Sequence, residues 1–342
     1  MFGLSTTRQL KSLWRQELDD HVIALQVSPD GRCLAAASIS GQIALIDGSN
    51  GELLHSFQAH KIGLADLVWT EAETLASLGH DGRLRFWDRS TAALKQDLDA
   101  GAQWGQSIDL SPCGKFLATA AGKKLKIWSP SGQILREHAE HPAVISAMIW
   151  KQSKSQLTTA TFAGLRFYSP KQEAPLGGLD KQGAILLLSW SPDGRFLASG
   201  RKDECIHFFD TLKNDDSMMS GYASQVDQLS WHRQSRLLAS GGGADVTVWN
   251  CGGKGPQGST PLSLIGHDPE SKVTALSFQR SGELLASGGS DGRVFLWDPA
   301  KKQDSQAECH LETPISQLLW TANDSSLFAG TASGGLAALS LK

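Results

Sequence analysis

The sequence lacks the features that would place it in several large functional classes. Charges of both signs are interspersed along its 342 residues and sum to −3, so no Lys/Arg-rich stripe offers the footprint of a nucleic-acid or anionic-membrane binder. No apolar run approaches the length needed to cross a bilayer, and residues 1–8 show no charged segment followed by an apolar one. A non-exported, cytoplasmic protein with neither nucleic-acid nor membrane partners is the expectation. Cys33, Cys113, Cys205, Cys251 and Cys309 are odd in number, far apart and free of C-x-x-C spacing, which argues against a disulfide framework, a zinc ribbon or a haem attachment site. No cofactor is expected. Helix-period segments longer than two turns are missing as well.

What is present is repetition. Ser287 to Asp298 reads S-G-G-S-D-G-R-V-F-L-W-D, a tight turn followed by a strand of period-two hydrophobicity. Gly79 to Asp88 is nearly the same sentence, and weaker copies lie around both. Leu34, Leu75, Leu117, Leu157, Leu197, Leu238, Leu285 and Phe328 open the second strand of successive units, at spacings of 41, 42, 40, 40, 41, 47 and 43. That period belongs to four-stranded propeller blades. Each first strand closes on a large apolar residue: Val27, Trp69, Leu110, Trp150, Trp190, Trp231, Phe278 or Trp320.

Eight units are therefore read, at about 19–58, 59–99, 100–138, 139–180, 181–222, 223–266, 267–311 and 312–342, within one domain over 1–342. Fourth strands are the least patterned, and the fifth unit's is placed over 217–221. The last unit ends at Lys342 after only three strands, and residues 8–18 supply a strand-like segment to complete it. The expectation is an all-β, closed eight-bladed propeller with no long open edge; seven blades plus one irregular unit is the alternative. Residues 250–261 are Gly/Pro-rich and read as a surface loop.

The chain resembles the WD40-repeat family over essentially its whole length, most clearly at Ala59-His60 with Trp87-Asp88 and at Gly266-His267 with Trp297-Asp298. The resemblance implies two buried hydrogen-bonded tetrads, His60, Ser77, Asp81 and Trp87, and His267, Ser287, Asp291 and Trp297. Their logic is structural: a buried indole N–H and imidazole both need partners. A His/Asp/Ser set repeated in distant blades beside a Trp does not describe one nucleophile in a cleft, so no enzyme is expected. The fourth unit keeps His141 and Thr159 but has Ala163 and Tyr168.

The resemblance further implies a monomeric, non-catalytic scaffold or adaptor that binds protein partners through one face. Trp104, Lys61, Arg83, Arg201, Lys202, Tyr222 and Arg293 are the candidates there, Trp104 because it precedes a first strand instead of closing one. The alternative is a metal- or small-ligand-binding module acting with a metallochaperone-type GTPase. It rests on His138, His141, Cys309 and His310, which offer imidazole and thiolate for a divalent metal.

Overall fold

The computed structural model describes residues 8–152, 155–180, 183–301 and 305–341. Strands and turns account for the regular structure there, in eight antiparallel sheets of four strands, one of which gains a short fifth. Blades 1 to 8 have the inner strands Val22–Val27, Leu64–Glu71, Gly105–Leu110, Ile145–Trp150, Ile185–Trp190, Gln228–Trp231, Val273–Phe278 and Ile315–Trp320. Consecutive inner strands are neighbours all the way round, blade 8 against blade 1 included. The ring is a closed eight-bladed propeller.

Burial across each sheet follows from its place between two neighbours. Second strands such as Cys33–Ser38 and Leu285–Gly289 are buried at every position, because both faces meet another blade. Their sequences are accordingly small and apolar throughout, as in Ala35-Ala36-Ala37. Outer strands such as Leu94–Asp99 are almost wholly exposed. The hydrophobic core is thus divided into eight layers, one at each blade junction. Between blades 1 and 2, for example, Ala35, Ile43 and Leu45 pack on Leu67, Trp69 and Trp87.

The tryptophans that close the inner strands do more than fill these layers. The indole N–H of Trp69 donates to Gln26 O (3.1 Å), that of Trp150 to Asp109 O (3.0 Å), that of Trp231 to Ser189 O (3.3 Å) and that of Trp320 to Ser277 O (2.9 Å). Every acceptor sits at the same position of the preceding blade's inner strand. Each even-numbered blade is therefore pinned to the one before it by a partly buried hydrogen bond, worth about 0.5–1.5 kcal/mol net.

Lys11–Glu17 pairs antiparallel with Gly335–Ser340 and completes blade 8. The same N-terminal segment departs from the expected single closing strand, because Arg8–Gln9 pairs parallel with Ala307 and Glu308 on the outer edge of blade 7. Trp14 also donates to Gly48 O (3.3 Å), and Gln16 to Gly51 O (2.7 Å), both in blade 1. One short segment thus ties three blades together. The outer strand of blade 5 is Asp215–Met219, two residues earlier than its sequence suggests.

Candidate functional site

The eight expected tetrad residues come together in blades 2 and 7. In blade 7, Ser287 Oγ accepts from Trp297 Nε1 at 2.8 Å and lies 2.9 Å from His267 Nε2. Both oxygens of Asp291 lie 3.1 Å from His267 Nδ1. One proton assignment satisfies the whole chain: the indole donates to the serine, the serine to Nε2, and Nδ1–H to the carboxylate. Asp291 also accepts from the backbone N–H of Asp268 and of Arg293, both at 3.0 Å. Blade 2 repeats the geometry, with His60 Nδ1 3.0 Å from Asp81, His60 Nε2 2.8 Å from Ser77 Oγ, and Trp87 Nε1 2.9 Å from the same oxygen.

Burial pushes the pKa of His60 and of His267 down, so both rings are neutral near pH 7. Burial would raise Asp291, but the N–H groups of Asp268 and Arg293 and the facing His267 hold its carboxyl below its ordinary value. Gly79 and Gly289 make this close approach possible. A methyl group at either position would run into the imidazole and the carboxylate together. The histidine and serine of each tetrad are buried.

Elsewhere the brace is rebuilt from other side chains. In blade 6, Tyr222 takes the histidine's part: its hydroxyl lies 2.6 Å from Ser240 Oγ and accepts from Trp249 Nε1 at 2.7 Å. The expectation that Tyr222 faces a partner is thereby corrected, because its hydroxyl is spent inside the blade. Arg201 is corrected on the same ground. It is buried at the place Gly79 takes in blade 2 and is paired with Asp203 at 2.8 Å. Both assignments look rim-like in the sequence because the aligned histidine is missing from their units. In blade 3, Thr119 Oγ1 accepts from Trp128 Nε1 at 2.9 Å while the Lys126 ammonium lies 5.7 Å from that ring's centre.

Lys61 and Lys202 are exposed on turns, Arg293 is exposed at the start of the strand Arg293–Trp297, and Arg83 is half-buried with Asp97 at 2.7 Å. Trp104 is 63% exposed. Its backbone is held at φ 63°, a left-handed conformation that costs a non-glycine residue about 1–2 kcal/mol. Its ring centre lies 5.8 Å from that of His80.

A feature of the sequence that periodicity could not reveal is the company Trp104 keeps. Ile39, Ile62, Val144 and Phe162 are also exposed. All five sit on loops that enter an inner strand or join a second strand to a third, and these loops share one face of the ring. Backbone hydrogen bonds link the loops into a belt: Ile39 N to His21 O, Leu64 N to Ile39 O, His80 N to Gly63 O, Trp104 N to His80 O, Gly122 N to Trp104 O and Ile145 N to Gly122 O. The apolar tips therefore form an arc over blades 1 to 4. Around the other half the corresponding tips include Lys202, Glu204 and Glu270, with Ile265 standing apart.

The candidate metal ligands fall into two places. Cys309 and His310 are successive residues of the outer strand Ser305–His310 and so point to opposite faces. His138 and His141 are both buried and both pack against the Tyr168 ring, with centres 4.6 and 5.4 Å away. Among the described residues no group of three His, Cys, Asp or Glu side chains is placed to hold a metal ion. Among the described residues there is no helix long and apolar enough to cross a membrane.

A ring of four-stranded blades with His–Asp–Ser–Trp braces defines a repeat propeller, and comparison with known proteins agrees. The WD domain, G-beta repeat model matches residues 106–129, 177–210 and 258–298. The model of the anaphase-promoting complex subunit 4 WD40 domain matches residues 6–72. The chain belongs to the WD40-repeat family. It is 26% identical over 166 residues to "Cell division cycle 20.1, cofactor of APC complex" of Arabidopsis thaliana, covering 46% of this chain and 35% of that one. It is 23% identical over 300 residues to "WD repeat-containing protein 1" of Gallus gallus, covering 81% and 48%. The chain thus spans less than half the length of either relative. The computationally designed Ika8 protein superposes with a TM-score of 0.81 at 22% identity, over 97% of this chain and 99% of that one, a likeness of fold.

Proposed function

We propose that this protein is a non-catalytic scaffold that captures a protein partner on the face carrying Ile39, Ile62, Trp104, Val144 and Phe162. The observation that carries the reading is Trp104, a large aromatic held exposed in a strained backbone conformation by the belt around it. Strain of this kind persists only where the surroundings impose it, and it concentrates at binding sites. Exposed aromatics flanked by apolar neighbours are what interface hot spots are built from. The buried, sterically closed His–Asp–Ser sets supply cohesion and no chemistry. Membership of the family supports a protein-interaction role in general, and one relative's name describes a cofactor of a complex.

The test exploits the backbone. Trp104→Gly removes the anchor and also relieves the φ 63° strain, so it should leave thermal stability unchanged or raised, by about 1 kcal/mol. Affinity capture from the source organism should then lose its principal partner at least about tenfold, as for a hot-spot aromatic. Phe162→Ser should weaken capture in the same direction. Undiminished capture by both variants would refute this face as the docking surface.

A further inference from the structure

Blade 4 differs from blade 2 at the positions that build the brace, and the differences leave a cavity. Tyr168 stands where blade 2 has Trp87 and Thr161 where it has Gly79, the turn between second and third strands is shortened from His80-Asp81-Gly82 to Phe162-Ala163 and so loses the carboxylate, and His138 packs on Tyr168 as Phe57 packs on Trp87. Two polar partners are kept, His141 for His60 and Arg166 for Arg85. In blade 2 these two hold a carboxylate between them: Asp81 lies 3.0 Å from His60 Nδ1 and accepts from Arg85 Nη1 at 2.8 Å. Arg85 Nη1 itself is 2.8 Å from His60 Nδ1, so guanidinium and imidazole share one edge. Blade 4 retains both residues and has no carboxylate between them; its Arg166 Nη1 donates to Leu165 O at 2.8 Å instead.

The space beside these two residues is a cavity of about 450 Å³ lined by His138, His141, Arg166, Tyr168, Pro142 and Pro175 among others. His141 Nε2 is engaged at 3.0 Å by both Thr159 Oγ1 and Tyr168 Oη. His141 Nδ1 is buried and makes no hydrogen bond among the described residues; with the Thr159 and Tyr168 hydroxyls donating to Nε2, the ring presents Nδ1–H to an anion in the cavity. Thr161 supplies no acceptor, because its hydroxyl serves Gly164 O and Ala163 N. Arg166 is turned outward to Asp180 at 2.8 Å, a carboxylate 85% exposed and therefore readily exchanged. His138 donates through Nδ1 to Glu173 O at 2.9 Å, which leaves its Nε2 a buried acceptor without a partner. Glu140, paired with Lys124 at 2.9 Å, and Glu173 stand exposed at the mouth.

We propose that this cavity binds a carboxylate-bearing ligand, whose anion sits between His141 and Arg166 as Asp81 sits between His60 and Arg85. The prolines and the Tyr168 ring receive the ligand's apolar body. An N–H next to the carboxylate, such as a peptide chain end carries, supplies the donor that His138 Nε2 lacks. A small carboxylic acid uses His141 and Arg166 alone. The site goes beyond the partner-binding reading, and the two fail separately, because Trp104 and Phe162 do not line the cavity.

The test is NMR of nitrogen-labelled imidazoles during titration with propanoate, with N-acetylalanine and with its neutral analogue N-acetylalaninamide. Saturable shifts of the His141 signals with the acids and none with the amide are expected. Tighter binding of N-acetylalanine than of propanoate assigns the ligand to a peptide chain end; equal binding assigns it to a small acid. Arg166→Gln should weaken either acid about 10- to 100-fold, the weight of a charge-assisted hydrogen bond. Replacing Phe162-Ala163 with the three-residue sequence His-Asp-Gly, together with Thr161→Gly, rebuilds the longer blade 2 turn and should abolish the response by filling the site from within; should that variant not fold, Arg166→Gln decides. Equal binding of acid and amide, no saturable shift with any probe, or unchanged affinity in Arg166→Gln would overturn the proposal.

Discussion

Asp291→Ala tests the physical account of the brace most directly. The carboxylate is nearly fully buried and has three donors aimed at it: His267 Nδ1–H and the N–H groups of Asp268 and Arg293. Truncation leaves the first of these buried without an acceptor, a cost of about 1–3 kcal/mol. The two backbone donors lie near solvent and recover most of their hydrogen bonding from water, adding a few tenths each. A loss of about 2–4 kcal/mol is therefore expected by urea titration, with the slope of the transition unchanged. Asp291→Asn keeps an acceptor oxygen and should cost less than half as much. The pH dependence carries a sign of its own. The folded pKa values of His267 and Asp291 both lie below their ordinary values. As pH falls, the unfolded chain takes up each proton first, so the wild type should lose stability below about pH 6.5 and again below about pH 4. Asp291→Ala within about 0.5 kcal/mol of wild type, or no gentler effect from Asn, would refute the account.

Two further outcomes follow from other parts of the ring. Asp66 and Asp109, on adjacent inner strands, are pushed up by burial to about 7, and Asp66 adds to the rise in Asp109. A raised carboxylate stabilises the fold while protonated and loses that contribution as pH climbs from about 4 to about 7, so Asp66→Asn should gain about 1–3 kcal/mol in urea melts at about pH 8 and nothing below about pH 4. Removing the segment up to Glu17 exposes the Gly335–Ser340 edge and deletes the contacts of Trp14 and Gln16 with blade 1; size-exclusion chromatography should show self-association of a kind that the intact ring does not.

The sequence by itself determined the repeat, the number of blades and the parts of the brace that are complete. Its second strands are buried on both faces, so Leu75 and Leu285 recur as small, apolar runs whose period survives substitution elsewhere. The closing strand was legible as well, since residues 8–18 read as strand-like beside a last unit of three strands, and Lys11–Glu17 pairs there with Gly335–Ser340. Outer strands were poorly legible because they bury almost nothing, which is why Asp215–Met219 was misplaced by two residues. What the tertiary structure alone decided are relations between residues about 20 to 300 positions apart. The Trp150 indole reaches a carbonyl in the preceding blade, Arg8–Gln9 reaches blade 7, and Tyr222 replaces a histidine that no alignment column marks. Arg201 illustrates the converse: a charged residue on a predicted rim is buried, because the position aligned with Gly79 points inward in every blade. The apolar arc gathers loops of successive blades, whose tips meet only once those blades have stacked, while the blade 4 cavity is walled by residues 138–142 and 173–175 around Tyr168; neither proximity is written as a local pattern in the chain.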